Sequence, residues 1–169
     1  MNIGVIEYRP GRFNMGKKSV HKFLKWCVFI IYIVALVYFM FFAESLGRAV
    51  YVREYRYNLQ PFKEIMRFIN NADILGAGSV MANILGNVVA FAPFGFCLPM
   101  VTEHRMKFIR VTILSAGLSL MIELVQLVSM VGSFDVDDIM LNTIGGASGY
   151  ILFCICKKII RGNKMNKKG

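Results

Sequence analysis

The chain has 169 residues, 56% of them hydrophobic, and a formal net charge of +10 at pH 7. Soluble domains are usually nearer about 45–50% apolar, and here the excess sits in long blocks, which excludes a conventional water-facing fold. The positive charge does not point to nucleic acid either, because the Lys and Arg cluster beside the apolar blocks, where such residues set membrane topology.

In chain order, residues 1–23 read as a basic cytoplasmic tail, with Met15 a second candidate start. A membrane domain follows over residues 24–157, and a second basic tail over 158–169. Within the domain, four segments approach the ~20 residues that cross a ~30 Å hydrocarbon core at 1.5 Å each. They are residues 26–43, 80–101, 108–130 and 139–156. The first, WCVFIIYIVALVYFMFFA, is long and has no small-x-small site after it, which favours an uncleaved anchor over a signal peptide. In the second, Pro93 and Pro99 predict a kink or an early stop. Between the first two spans, Pro61 opens a candidate short helix in the loop from Gly47 to Ser79. Its Phe62, Ile65, Met66 and Ile69 share one face, and Lys63, Glu64, Arg67 and Asn70 the other, as in a helix lying on a membrane surface. The expected fold is therefore all-α: an integral membrane bundle of four transmembrane helices with a short amphipathic surface helix in the first outer loop.

Charge gives the orientation. Six basic residues precede the first span (Arg9, Arg12, Lys17, Lys18, Lys22, Lys25), and Arg105, Lys107 and Arg110 join the second span to the third. Lys157, Lys158, Arg161, Lys164, Lys167 and Lys168 follow the fourth. The remaining five (Arg48, Arg53, Arg56, Lys63, Arg67) lie in the first loop, so both termini are expected in the cytoplasm. On this topology Cys27, Cys97, Cys154 and Cys156 fall toward the reducing side and read as small packing residues, not as disulfides or metal ligands.

The residues that lipid would reject converge toward the outside. Asn83 and Asn87 share a face of the second span, ~5 and ~10 Å below its outer end at the helical rise. On the third span, Glu123 and Gln126 sit at similar depth; the fourth opens with Asp138 and Asn142. Beyond Arg110 of the cytoplasmic basic cluster, the inner halves, residues 94–100, 109–116 and 150–156, carry no comparable groups, which argues against an ion pore. A polar pocket open to the outside is expected. Just before the fourth span, SFDVDDIMLNTIGG supplies Asp135, Asp137 and Asp138. These acids can cap that helix, where negative charge meets the N-terminal dipole, can offer oxygen ligands to Ca²⁺ or Mg²⁺, or can pair with Arg53 and Arg56. Along with Asn58 of the first loop, they complete the candidate polar site.

The motifs NLQPF (Asn58 to Phe62), NILGNVVAFAPFGF (Asn83 to Phe96), IELVQL (Ile122 to Leu127) and FDVDDIMLNTIGGASGY (Phe134 to Tyr150) together resemble the VanZ-like family of bacterial membrane proteins. Order and spacing both fit, over roughly residues 24 to 156. Carried over residue by residue, the resemblance marks Asn58, Pro61, Phe62, Asn83, Asn87, Pro93, Gly95, Glu123, Gln126, Asp135, Asp138, Asn142, Gly145 and Gly146. It implies a role at the cell envelope, linked in some members to lower susceptibility to glycopeptides such as teicoplanin. The expected partners are membrane lipids, lipid-linked envelope intermediates or lipoglycopeptides. No cofactor motif is present, and no nucleophile–base pair is evident. The catalytic alternative is an intramembrane hydrolase or transferase of lipid headgroups using Glu123 with Asp135, Asp137 and Asp138. A third reading is a partner-binding subunit in which the polar residues only hold helices together.

Overall fold

The computed structural model describes residues 17–46, 55–103 and 106–166. The amino-terminal tail through residue 16 and Arg53 lie outside the described residues. In order, the elements are α1 (Lys17–Leu46), β1 (Tyr57–Asn58), α2 (Lys63–Asn70), α3 (Ala72–Leu75), α4 (Ala77–Val101), α5 (Phe108–Ser129), β2 (Phe134–Asp135) and α6 (Val136–Asn166). Four of the helices hold segments long and apolar enough to cross a membrane, Ser19–Phe41, Asn83–Val101, Phe108–Ser129 and Val136–Arg161. The expected all-α bundle of four spans is present.

In lipid, apolar side chains gain little by leaving their solvent, so helices associate through close packing and polar contacts instead. That makes α4 and α6 the centre of the bundle, because glycine lets their backbones touch. A Cβ built on Gly149 would lie 1.9 Å from the carbonyl oxygen of Ala92, and one on Gly145 2.4 Å from that of Val88. From the other side, a Cβ on Gly95 would meet the Gly146 carbonyl at 1.8 Å. The third helix closes on the same seam, since a Cβ on Gly146 would fall 1.9 Å from Ser115 Oγ of α5.

The first helix packs on this core from outside. Its buried Phe29, Leu36 and Met40 lie on one face and meet Phe91, Phe94 and Leu98 of α4 and Ile122 of α5. Tyr32 ties the two helices by donating its hydroxyl to the carbonyl of Ala90 at 2.6 Å. Val28, Ile31, Val34 and Tyr38 point away from the bundle and are exposed, the composition of a lipid-facing surface.

Two local expectations are corrected. The second span does not stop early at Pro93: α4 runs through both prolines and ends two residues past Pro99. Membrane helices tolerate such breaks in their hydrogen-bond ladder because neighbouring helices can satisfy the freed carbonyls. The cysteines are all free, but Cys154 and Cys156 are exposed on α6 and do not pack in the core. The seam itself is testable. Gly149→Ala drives a methyl group into backbone and is expected to cost about 1–3 kcal/mol, the range for overpacking. Gly86→Ala, where nothing lies within 4 Å of the added carbon, should leave the melting temperature of detergent-solubilised protein unchanged.

Candidate functional site

The polar residues meet where the carboxyl end of α5, the amino end of α6 and the first loop come together. Here, among the described residues, lies the one feature outside the helical plan: Tyr57 pairs with Phe134 and Asn58 with Asp135 in a two-stranded parallel ladder. Phe134 N–H also donates to the Arg56 carbonyl at 3.0 Å, which extends the union by one bond. The loop is thus sewn to the segment that starts the fourth span.

Asp135 stands immediately before α6 and acts as its cap. Its Oδ1 accepts the backbone N–H of Asp137 at 2.9 Å and the side-chain amide of Asn58 at 3.1 Å. A side-chain oxygen taking the N–H two residues on is the usual N-cap bond. In turn, Asp135 donates its own N–H to Glu123 Oε2 at 2.9 Å, linking the cap to α5. Burial of the Asp135 carboxyl raises its pKa above the ordinary 3.8, outweighing the bonds from Asp137 and Asn58 that lower it, while the negative charges of Asp137 and Glu64 add to the rise.

Asp137 performs a different task. Its carboxylate, 1% exposed, reaches out of α6 to the start of α2. Phe62 N–H donates to Oδ1, and the N–H groups of Glu64 and Ile65 donate to Oδ2 at 2.8 and 3.2 Å. The first turn of a helix leaves several N–H groups without intrahelical partners and carries partial positive charge. A carboxylate more than seventy residues away in sequence satisfies three of these amides at once. Phe62, held by this bond, adopts a left-handed backbone with φ 65°. Such a conformation costs a non-glycine residue roughly 1–3 kcal/mol unless its surroundings impose it.

The remaining members spread down the bundle. Asp138 accepts the side-chain amide of Asn87 on α4. Asn142, 1% exposed, donates to Ser119 Oγ on α5 at 2.9 Å, and Gln126 donates to the Met40 carbonyl of α1 at 3.4 Å. Asn142 Oδ1 and Gln126 Oε1 are buried acceptors with no hydrogen-bond donor among the described residues. Asn83 lies one turn from Asn87 but stays exposed.

Of the predicted site residues, the structure brings Asn58, Asn87, Glu123, Gln126, Asp135, Asp137, Asp138 and Asn142 to one end of the bundle. There Asn58, Glu123, Asp135 and Asp137 form a buried, hydrogen-bonded cluster. Arg56 is exposed and makes no ion pair with the acids. The idea of a shared metal meets the same geometry: no three His, Cys, Asp or Glu among the described residues are grouped to hold an ion. The physical reason is that the three aspartates point to three different partners. Ser119, the partner of Asn142, and Ser115, against Gly146, read from the sequence as small residues for close helix packing; the bond from Asn142 to Ser119 was not foreseen. Their spacing of four from Glu123 along one helical face was the available signal.

A bundle of four apolar helices with a covered, acid-rich end and a loop helix capped in trans defines a polytopic membrane protein. The family pattern described as VanZ/LLP1 matches residues 29–157, and the chain belongs to that family. Protein VanZ of Enterococcus faecium is 26% identical over 147 residues, which cover 86% of this chain and 83% of the relative. No solved structure matches the chain.

Two expectations follow. Asp137→Ala removes the acceptor of three amides and should release α2, at a cost of about 1–3 kcal/mol for the unsatisfied groups. Faster tryptic cleavage after Lys63 and Arg67, and faster hydrogen exchange at residues 62, 64 and 65, would report it. For Asp135, a raised native pKa means that the proton favours the fold. Its contribution is full below the unfolded value of 3.8 and is lost as pH rises through the higher native value. Asp135→Asn keeps an acceptor for both donors on Oδ1, so it should fold and should lose this pH-dependent component. The difference between the thermal stabilities of wild type and variant, followed upward from about pH 4, is the measurement.

Proposed function

We propose that this protein acts without catalysis at the outer leaflet of the bacterial cytoplasmic membrane, with both termini inside. There it engages a lipid-linked envelope headgroup or the lipid anchor of a glycopeptide. The observation that carries this reading is the docking of α2 by Asp137. The clamp presents a rim of exposed apolar and aromatic side chains (Tyr55, Tyr57, Leu59, Phe62, Met66 and Ile69) at the end of the bundle. Such a rim suits the interface, where one side is apolar and the other wet. On the opposite face of α2, Arg67 pairs with Glu64 at 2.8 Å and lies 5.1 Å from the centre of the Phe68 ring.

Membership of the VanZ/LLP1 family supports a place at the envelope, and the resemblance to VanZ-like proteins supports an effect on glycopeptide susceptibility. The basic residues flanking the spans support the orientation. Beneath the rim, Gln126 and Asn142 each hold a buried acceptor oxygen on either side of Glu123 along the bundle. These are the groups that would take a hydroxyl or amide donor from a headgroup.

Expression in a susceptible host should raise the inhibitory concentration of teicoplanin more than that of vancomycin. Met66→Lys with Ile69→Lys should abolish the difference while membrane insertion stays normal. Unchanged susceptibility to both antibiotics on expression would remove the glycopeptide part of the proposal. Orientation is checked separately in a cysteine-free background: a thiol at Leu59 should react with an impermeant reagent in intact cells, and one at Ile160 should not.

A further inference from the structure

The end of the bundle away from the acids holds a second feature that the reading above does not use. A cavity of about 320 Å³ lies between the start of α1, the end of α4 and the start of α5. Lys22, Trp26, Val101, Glu103, Met106 and Arg110 line it. Its wall is mostly apolar with charges at the edge. From this geometry we infer that the cavity binds the phosphodiester of an anionic phospholipid, with Arg110 and Lys22 as the phosphate ligands and Trp26 and Met106 against the glycerol and first acyl carbons.

Depth argues for a lipid over a soluble anion. Lys22 lies three residues inside the first span, Arg110 two residues inside the third, and Val101 is the last residue of α4. At 1.5 Å per residue, both cations sit within about 5 Å of the span ends, the level of the headgroups. The charge balance also fits. Arg110 has no carboxylate partner among the described residues, and its planar guanidinium suits two phosphate oxygens. Lys22 is 3.0 Å from Glu103, but both side chains are more than half exposed, so this pair is weak and a phosphate can exchange for the carboxylate. Basic pockets between membrane helices are a recurrent form of headgroup site. The site does not depend on the outer-leaflet proposal, because it is defined by the end of the bundle and not by which side of the membrane that end faces.

Native mass spectrometry of the full chain, released from detergent with phosphatidylglycerol or phosphatidylcholine, tests it. Retention of one phosphatidylglycerol in preference to phosphatidylcholine is expected. Arg110→Gln should weaken it by about tenfold, the loss of one charge-assisted contact. Glu103→Gln should strengthen it by freeing Lys22, a gain that misfolding would not produce. Arg161→Gln, at the same end and outside the cavity, should change nothing. Because Trp26 is the only tryptophan in the chain, brominated phosphatidylglycerol should quench its fluorescence more than brominated phosphatidylcholine. Equal retention of the two lipids, or an Arg110→Gln protein that binds like wild type, overturns the inference. Displacement of the lipid by millimolar inorganic phosphate assigns the cavity to a soluble anion and overturns it equally, as does retention of an acidic peptide in place of lipid.

Discussion

Asp137 makes the interaction on which this end of the molecule depends. A carboxylate buried beside a hydrocarbon layer carries a large desolvation cost unless donors surround it. The donors here are backbone amides that would themselves be unsatisfied at the start of α2. One contact thus solves two problems, and neither partner has a good alternative. The consequence is positional: the loop between the first and second spans is fixed over the start of the fourth. The short ladder of Tyr57 with Phe134 and Asn58 with Asp135 then sets its register. Without the clamp, two residue pairs of parallel ladder would be a weak attachment, since isolated short strands are marginal by themselves.

That arrangement depends in turn on how closely the spans approach. Glycines at 95, 145, 146 and 149 remove the side chains that would hold α4, α5 and α6 apart. Only with the helices this near can short side chains bridge them, as Asn87 does to Asp138 and Asn142 to Ser119. The small-residue seam and the polar cluster are therefore one design read at two depths. Glycine supplies proximity in the apolar half, and the amides and carboxylates use that proximity toward the covered end.

Much of this was legible in the sequence, and the part that was not has a physical reason. Apolar runs of about 20 residues identify spans because lipid imposes that length. Helical spacing and depth place Glu123 with Asn87 and Asn142, since both follow from the fixed rise of a helix. The use of Asp137 was not legible. Its partners are main-chain N–H groups, which every residue but proline carries, so no residue type signals them. Side-chain logic instead looked for Arg53, Arg56 or a metal beside the acids, whereas the donors that hold Asp137 are the main-chain amides of Phe62, Glu64 and Ile65. The Phe62 conformation was hidden for a similar reason: a left-handed φ at an aromatic residue is imposed by the tertiary contact and is not a local preference.

The two ends of the bundle show opposite solutions to charge at a membrane boundary. At the covered end, the acids are buried and bonded to the protein itself, so they build structure. At the other end, Lys22 and Arg110 line an open cavity, and the described carboxylate there, Glu103, pairs with Lys22. A charge consumed internally fixes a fold, whereas one left under-neutralised at headgroup depth is available to a ligand. Since α4 and α5 run between the two ends, a phosphate drawn in beside Val101 and Arg110 would tether the same helices whose far ends carry Asn87 and Glu123. Lipid at one boundary would then restrain the frame on which the loop at the other is docked, through two helices that both pack on α6 along the glycine seam.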